Sequence, residues 1–439
     1  MGKCYSLAFF LWMLTISTVR AQSFSLTGKV IDSLTHSPLA GANIYLSNTS
    51  ISTSSDKNGD FKLTNIPVGT YQIVASHIGY HNSMKTVSLT SNKYLDVPLT
   101  PKDETMEEVI ITNTKVKKRL RNEWLRIFFK QVVGSSPFAN FCTIENKEAL
   151  RFKYDKNNHT LTAFSSEPLL ITNRALGYHI KYDLQNFAYN ELADIMSYTG
   201  IPVYSNMQGS AEQIQQWTKN RKETYDISLL KFMRAMYRQE GDSSYILFRP
   251  LSNTMPITTN DDYKKIASAN EYRYPENAKR LRTTNMVNGA HRTVVTDGVF
   301  FINVAHPPIP IKDICYRADS ATVVLNFKGK ILAEIWENNY NYSRRKNNYL
   351  LVNEGLRILE SELSPNYRWE SIKIVNPLGG RLAAGLFPTA FSEFILATPE
   401  SIAISANGYY TNGNHLLLSG IFAWVEKLGT MLPLDYYPD

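Results

Sequence analysis

Cysteine is scarce: three residues in 439, at positions 4, 142 and 315. That is too few for the disulfide framework with which small secreted domains compensate for a thin core. Cys142 and Cys315 are the one pair that an oxidising compartment could join, and on sequence alone a bridge and two free thiols both stand open. Histidine is nearly as sparse, with eight residues, and none has glutamate three positions later. The His-x-x-Glu ligand pair of a zinc carboxypeptidase is therefore missing. No H-E-x-x-H or G-x-S-x-G stretch occurs, and "NPLGGRLAAG" lacks the Lys-Ser/Thr of a phosphate loop. Cys142, beside "PFANF", would be a nucleophile only with a histidine near it in space; a buried inert thiol is the plainer reading. No catalytic residue, metal ligand or cofactor-binding residue is assigned, and no cofactor is expected. Carboxylates that converge only in the fold escape this kind of search.

Long apolar runs are also lacking after the opening, where no stretch reaches the roughly 18 residues that a spanning helix needs. The opening itself, "MGKCYSLAFFLWMLTISTVRAQS", sets Lys3 before an apolar run from Leu7 to Ile16 and small residues around Arg20. This layout predicts a cleaved secretory signal over residues 1–21, with the mature chain beginning near Gln22. Formal charge is +8, and +6 once Lys3 and Arg20 are removed. So mild an excess in a secreted chain points to an anionic surface such as lipid head groups, and not to nucleic acid.

What is present begins at Phe24, where Leu26, Gly28 and Val30 alternate with Ser25, Thr27 and Lys29, the period of a half-buried strand. Pro38 and Gly41 punctuate the next segment, and Ala42, Ile44 and Leu46 share a face. Asn58-Gly59 predicts a tight hairpin turn, after which Phe61 and Leu63 resume the alternation. Pro67 and Gly69 turn the chain into "TYQIVASHIGY", and "KTVSLT" and "KYLDVPLT" close the set. About seven short strands with turns every 8 to 12 residues describe a small antiparallel sandwich over residues 22–101. Asp56, Asn58 and Asp60 stand at the first three spacings of a calcium loop, but Phe61 and Pro67 occupy positions that need glycine and glutamate, so a turn is the better account. His77 and His81, four apart on a strand pattern, do not converge as they would on a helix.

The elements G-x-V-x-D, P-L-x-G-A-x-I, D-x-N-G-x-F and P-x-G-x-Y follow one another over residues 24–100, and together they resemble the carboxypeptidase-regulatory-like domain. That domain opens many envelope proteins of Bacteroidota, TonB-dependent receptors among them. The resemblance implies a non-catalytic, prealbumin-like sandwich. It also implies secretion across the inner membrane and a periplasmic or outer-membrane-associated site. "MEEVIIT" is similar to the segment that joins this module to a receptor plug, yet the residues after Thr112 are too few for a plug and a barrel of about 22 strands, so receptor architecture is not expected.

Residues 102–122 read as a basic linker carrying Lys115, Lys117, Lys118, Arg119 and Arg121, which are candidates for contact with an anionic surface. They lead into Leu120, Trp124, Ile127, Phe128 and Val132 at helical spacing with Gly134 as a stop; packing of that stripe on the following domain is the plainer alternative. Residues 123–439 then mix strands and helices. "ALRFKYDKNNHTLTAF" predicts a hairpin, Ser210 opens one helix, and Leu229, Phe232, Met233, Met236 and Tyr237 form the apolar face of another. The expected fold class is β-rich α+β: the sandwich followed by a larger region of antiparallel sheet and helices, with room for two lobes. Phrases such as "WTKNRKETYDISLLKFMRAMY" resemble the corresponding region of Bacteroidota proteins that share the module, a similarity that brings no activity with it. Aromatic residues make up 12% of the chain, which suits either sugar stacking or a β-rich core. The expected function is a non-catalytic envelope interaction or assembly protein that uses the module to present its C-terminal domain. Its partner would be an envelope protein or glycan, with peripheral contact to a membrane surface and none to nucleic acid. The alternatives are a glycan- or peptide-binding protein and an unrecognised hydrolase.

Overall fold

The computed structural model describes residues 23–102, 118–192, 195–240, 246–251, 255–257, 283–287, 290–294, 300–305, 309–335, 350–353, 390–396, 401–413, 416–418 and 421–438. The expected leader, Lys115 and Lys117 lie outside these residues. The chain divides into two units: residues 1–45 with 51–103, and residues 46–50 with 104–439.

The first unit is a β-sandwich. One sheet has the order β4-β1-β7, with β8 also on β1, from Ser23–Asp32 (β1), Asp60–Pro67 (β4), Lys93–Tyr94 (β7) and Val97–Leu99 (β8). The other has the order β3-β2-β5-β6, from Asn43–Leu46 (β2), Ser52–Ser54 (β3), Gly69–Ser76 (β5) and Ser83–Leu89 (β6). The alternation read from Leu26 onward is real: Leu26 and Val30 are fully buried, and Ile44 and Tyr71 of the other sheet are fully buried too. Gly28 lies on the same side, and it is glycine because a Cβ there would stand 1.9 Å from the Leu95 carbonyl oxygen. Two expectations are corrected. The closing strands β7 and β8 run parallel to β1, so the sandwich is not wholly antiparallel. Asn58-Gly59 does not close a hairpin, since β3 and β4 belong to different sheets. Only Gly59 of that pair has positive φ, at 78°, and the connection is held by Asp56, whose Oδ1 accepts the N–H groups of Asn58 and Asp60.

The second unit is larger and mixed. Helix α1, Lys118–Phe128, runs into a π-helical turn, Phe129–Val133, that ends at Gly134. Helix therefore begins inside the expected linker. A sheet of six strands follows, from Cys142–Ile144 (β9), Leu150–Asp155 (β10), Thr160–Ser165 (β11), Leu169–Asn173 (β12), Tyr178–Asn190 (β13) and Ile195–Asn206 (β14). Its β10–β11 hairpin has the expected register, Phe152 opposite Ala163 and Tyr154 opposite Leu161. The apolar stripe of α1 packs on this sheet, with Trp124 6.2 Å from the rings of Phe152 and Tyr154, and with Phe128 fully buried against Phe152 and Phe187. These residues form the first of two hydrophobic clusters among the described residues.

Ser210 caps Ala211–Asp226 (α2) with a full capping box to Gln213, and Ser228 caps Leu229–Arg238 (α3). Beyond α3 the described strands are Ile246–Leu251 (β15), Met255–Ile257 (β16), Thr283–Val287 (β17), Ala290–Val294 (β18), Phe300–Ala305 (β19), Cys315–Arg317 (β20), Val323–Leu325 (β21), Lys330–Ile335 (β22), Leu350–Asn353 (β23), Ala390–Leu396 (β24), Ile402–Ile404 (β25) and Leu416–Leu418 (β26). They form a sheet of order β16-β19-β15-β22-β24-β26 with β23 on β19, a pair β17-β18, and a sheet β20-β21-β25. With α3 and the short helix Ile421–Val425 (α4), strands of the first and third of these sheets enclose the second cluster, where Phe232 stacks on Phe394 at 4.7 Å. The whole is β-rich α+β. Phe128→Ala should lower stability by about 3–5 kcal/mol, because a ring that meets two others leaves a cavity the sheet cannot close. The shift of the urea midpoint, at unchanged slope, checks it.

Candidate functional site

Helix α3 is buried on nearly every side, which its sequence explains: Leu229, Leu230, Phe232, Met233, Ala235 and Met236 leave it little polar surface. Leu230 faces the first cluster and the others face the second. Between them stands Arg234, with 0% of its surface exposed. Its guanidinium donates from Nε to the Asn407 carbonyl at 3.1 Å, from Nη1 to the Tyr436 carbonyl at 2.8 Å, and from Nη2 to the Leu434 carbonyl at 2.9 Å. Nη1 also reaches the Tyr225 hydroxyl at 3.4 Å, and the Tyr437 ring lies 3.9 Å from the guanidinium carbon. No carboxylate is among these partners; backbone dipoles and an aromatic face carry the charge.

The segment that Arg234 grips is stitched along its length. Leu428 and Gly429 donate their N–H groups to the carbonyls of Val132 and Val133 at 3.0 and 2.9 Å. Val132 and Val133 are the last two residues of the π turn, whose Gly134 N–H bonds Phe129, so their carbonyls have no partner within the helix. A Cβ on Gly429 would stand 2.5 Å from the Val133 oxygen, so only glycine lets the strands meet. The Asn173 amide donates to the Gly429 carbonyl at 3.0 Å, and the Leu434 N–H donates to the Asn48 carbonyl at 2.7 Å. Asp435 accepts the N–H and the hydroxyl of Ser50.

At the start of this segment is Glu426. Its Oε1 accepts the Leu229 N–H at 2.9 Å, at the first turn of α3, and its carbonyl accepts the Tyr198 hydroxyl at 2.9 Å. Burial pushes the carboxyl up to about 7, with the Leu229 N–H and the Lys427 charge acting against the shift. Tyr198, Tyr204 and Tyr410 lie within electrostatic reach of it, and burial, ahead of that charge, raises all three phenols. Lys427 Nζ sits 3.7 Å from the Met196 sulfur and 5.5 Å from the Tyr198 ring centre. The Tyr204 hydroxyl and Asn48 Oδ1 are buried without a hydrogen-bond partner among the described residues. A raised carboxyl among phenols has the makings of an acid–base pair. Here the carboxyl is also the N-terminal anchor of α3, where the helix dipole favours its charged form.

The residues singled out from sequence fare differently. Lys118 and Arg119 are exposed on α1. Arg121 turns inward and donates to the carbonyls of Lys147 and Leu150 at 3.0 and 3.5 Å, which commits it to the fold. Cys142 and Cys315 do not form a bridge: both are free and buried, one in each hydrophobic cluster. Each thiol donates to a carbonyl four residues earlier, Phe138 and Ile311, and burial pushes Cys142 up to about 12. Arg234, Glu426 and Tyr198 were missed. The one signal for Arg234 is a cation flanked by Met233 and Ala235 inside an apolar helix; nothing local marks Glu426.

Residues 26–111 match the CarboxypepD_reg-like domain family, which identifies the N-terminal module. No curated protein matches the chain. Among solved structures, an interface mutant of the type II cohesin–X-dockerin complex from Acetivibrio cellulolyticus is similar at 24% identity over 18% of this chain and 56% of its own, with TM-score 0.16. The pilus 2b backbone protein of group B streptococcus is similar at 19% identity over 18% of this chain and 42% of its own, with TM-score 0.17. Catechol 1,2-dioxygenase from Acinetobacter is similar at 11% identity over 20% of this chain and 55% of its own, with TM-score 0.17. The chain thus spans about half the length of the solved chains it matches.

Two outcomes are expected at the site. Arg234→Met strips three carbonyls of their donor in the interior and should cost about 3–5 kcal/mol, measured by denaturant unfolding. Arg234→Lys, a point charge unable to span three acceptors, should recover less than half of that loss. For Glu426, the folded value near 7 lies above the ordinary carboxyl value of the unfolded chain, so the folded state holds the proton more tightly between the two. Stability contributed by this group is complete at low pH and declines as pH rises through about 7, by at most about 1.4 kcal/mol per pH unit. Glu426→Gln keeps an acceptor for Leu229 and should flatten that slope in melting curves taken across the range.

Proposed function

We propose that this protein is a non-catalytic interaction or assembly protein of the cell envelope, in which the regulatory-like module serves the larger C-terminal unit as a carrier. The observation that supports it most is how Arg234, Glu426 and the two thiols of that unit are engaged. Arg234 donates to three backbone carbonyls, the Glu426 carboxyl holds a helix N-terminus, and the two thiols donate to carbonyls within their own turns. Groups engaged in this way hold chain segments together and offer a substrate little. The N-terminal module adds to the reading, because residues 26–111 match the CarboxypepD_reg-like domain, and the resemblance implies a non-catalytic sandwich common among envelope proteins.

Purified full chain incubated with unfolded polypeptide and a panel of C-terminally varied peptides, with and without zinc, should yield no cleavage product by mass. In cells, cross-linking of the full chain should recover one envelope protein in constant proportion. Metal-dependent trimming that chelation abolishes would overturn the proposal in favour of a hydrolase. Recovery only of sugar polymers would favour the glycan-binding alternative.

A further inference from the structure

Helix α1 divides its charges between two fates. Trp124, Leu125 and Ile127 pack on the first hydrophobic cluster, Phe128 lies inside it, and Arg121 is tied to two carbonyls on the same side. This fixes the rotation of the helix about its axis. What turns outward is Arg119, Asn122, Glu123, Arg126 and, in the π turn, Lys130, with Lys118 at the end; all six are exposed. Arg119 and Arg126 are two turns apart and Lys130 follows four residues later, so the cations form a stripe along one face. Glu123 is the one acid between them. None of the ion pairs among the described residues involves this helix. In sequence, Lys115 and Lys117 immediately precede the stripe.

We infer that this face of α1 docks peripherally on an anionic lipid surface. The outward face carries no aromatic ring on which a base or sugar could stack, and no apolar centre of the kind around which protein interfaces form. A plane of lipid phosphates needs neither. It rewards a row of cations held at one height. Leu120, 39% exposed at the flank, adds an apolar contact for the head-group boundary. Rigid packing of the opposite face lets the stripe meet the surface without the cost of ordering a helix there. The contact does not depend on whether the protein assembles with a partner.

Co-sedimentation of the full chain with vesicles tests it. Vesicles of phosphatidylcholine containing a quarter phosphatidylglycerol should bind at least about tenfold more protein than phosphatidylcholine alone, and high salt should remove the difference. The variant R119Q/R126Q/K130Q, all exposed positions, should melt as the parent does and lose that tenfold gain. K153Q/K156Q/K181Q, which removes the same charge from exposed positions outside α1, should retain it. Equal binding to neutral vesicles, unchanged binding by the α1 variant, or equal loss in the second variant would each overturn the inference. So would binding of heparin or duplex DNA that the α1 variant abolishes while vesicles go unbound.

Discussion

A guanidinium cannot be folded into an apolar interior until its donors have acceptors, and Arg234 sets that condition for the second unit. Removing an ion from water costs several kcal/mol even after relaxation, and only well-placed acceptors offset it. The acceptors come from separate stretches of chain: the Asn407 carbonyl in the turn after β25, and the Leu434 and Tyr436 carbonyls near the end of the described sequence. Helix α3 therefore cannot reach its buried state alone. The turn and the C-terminal segment must arrive with it, and the planar fork of arginine, unlike an ammonium, has the geometry to hold both at once.

That requirement explains the path of the chain between the two hydrophobic clusters. Phe422 and Val425 belong to the second cluster, while Leu428, Leu432 and Leu434 belong to the first. The crossing falls at Glu426 and Lys427, where backbone groups leave regular structure and need partners. Beside local bonds such as Glu426 N–H to the Phe422 carbonyl, several partners come from distant chain. Val132 and Val133 offer carbonyls because the helix ends with them, Tyr198 donates to the Glu426 carbonyl, and Asn173 donates to Gly429. The π turn of α1 is thus a receptor for the crossing strand, and Gly429 is the residue small enough to enter it.

The sequence made legible those features in which one local signal decides the outcome. Alternation placed β1 and the β10–β11 hairpin, Ser210 placed the start of α2, and the apolar period placed α3. Where a signal depends on what the next strand joins, it misled. Asn58-Gly59 is a good turn but links two sheets. The candidate site was the least legible part. Cys142 and Cys315 suggest a bridge only until each is placed in its own cluster. Arg234 looks like a solvated cation in a helix until both faces of that helix are seen to be covered, and that knowledge lies in residues more than a hundred positions away.

The same contrast separates architecture from availability among the charges. Arg121 and Arg119 are neighbours in one basic run, yet one closes onto the Lys147 and Leu150 carbonyls and the other faces water. Glu426 and Glu123 differ in the same way: the first is bonded at a helix start and raised by burial, and the second is exposed. A group that must recognise something outside the chain has to keep a donor, an acceptor or a charge uncommitted within it. By that measure Arg234 and Glu426 act as architecture, however perturbed the Glu426 carboxyl is, because the perturbation arises from the same burial that lets it hold α3. On the proposed reading recognition falls to the surface, where charge costs little to keep and can be arranged in rows by a helix whose other face is already fixed.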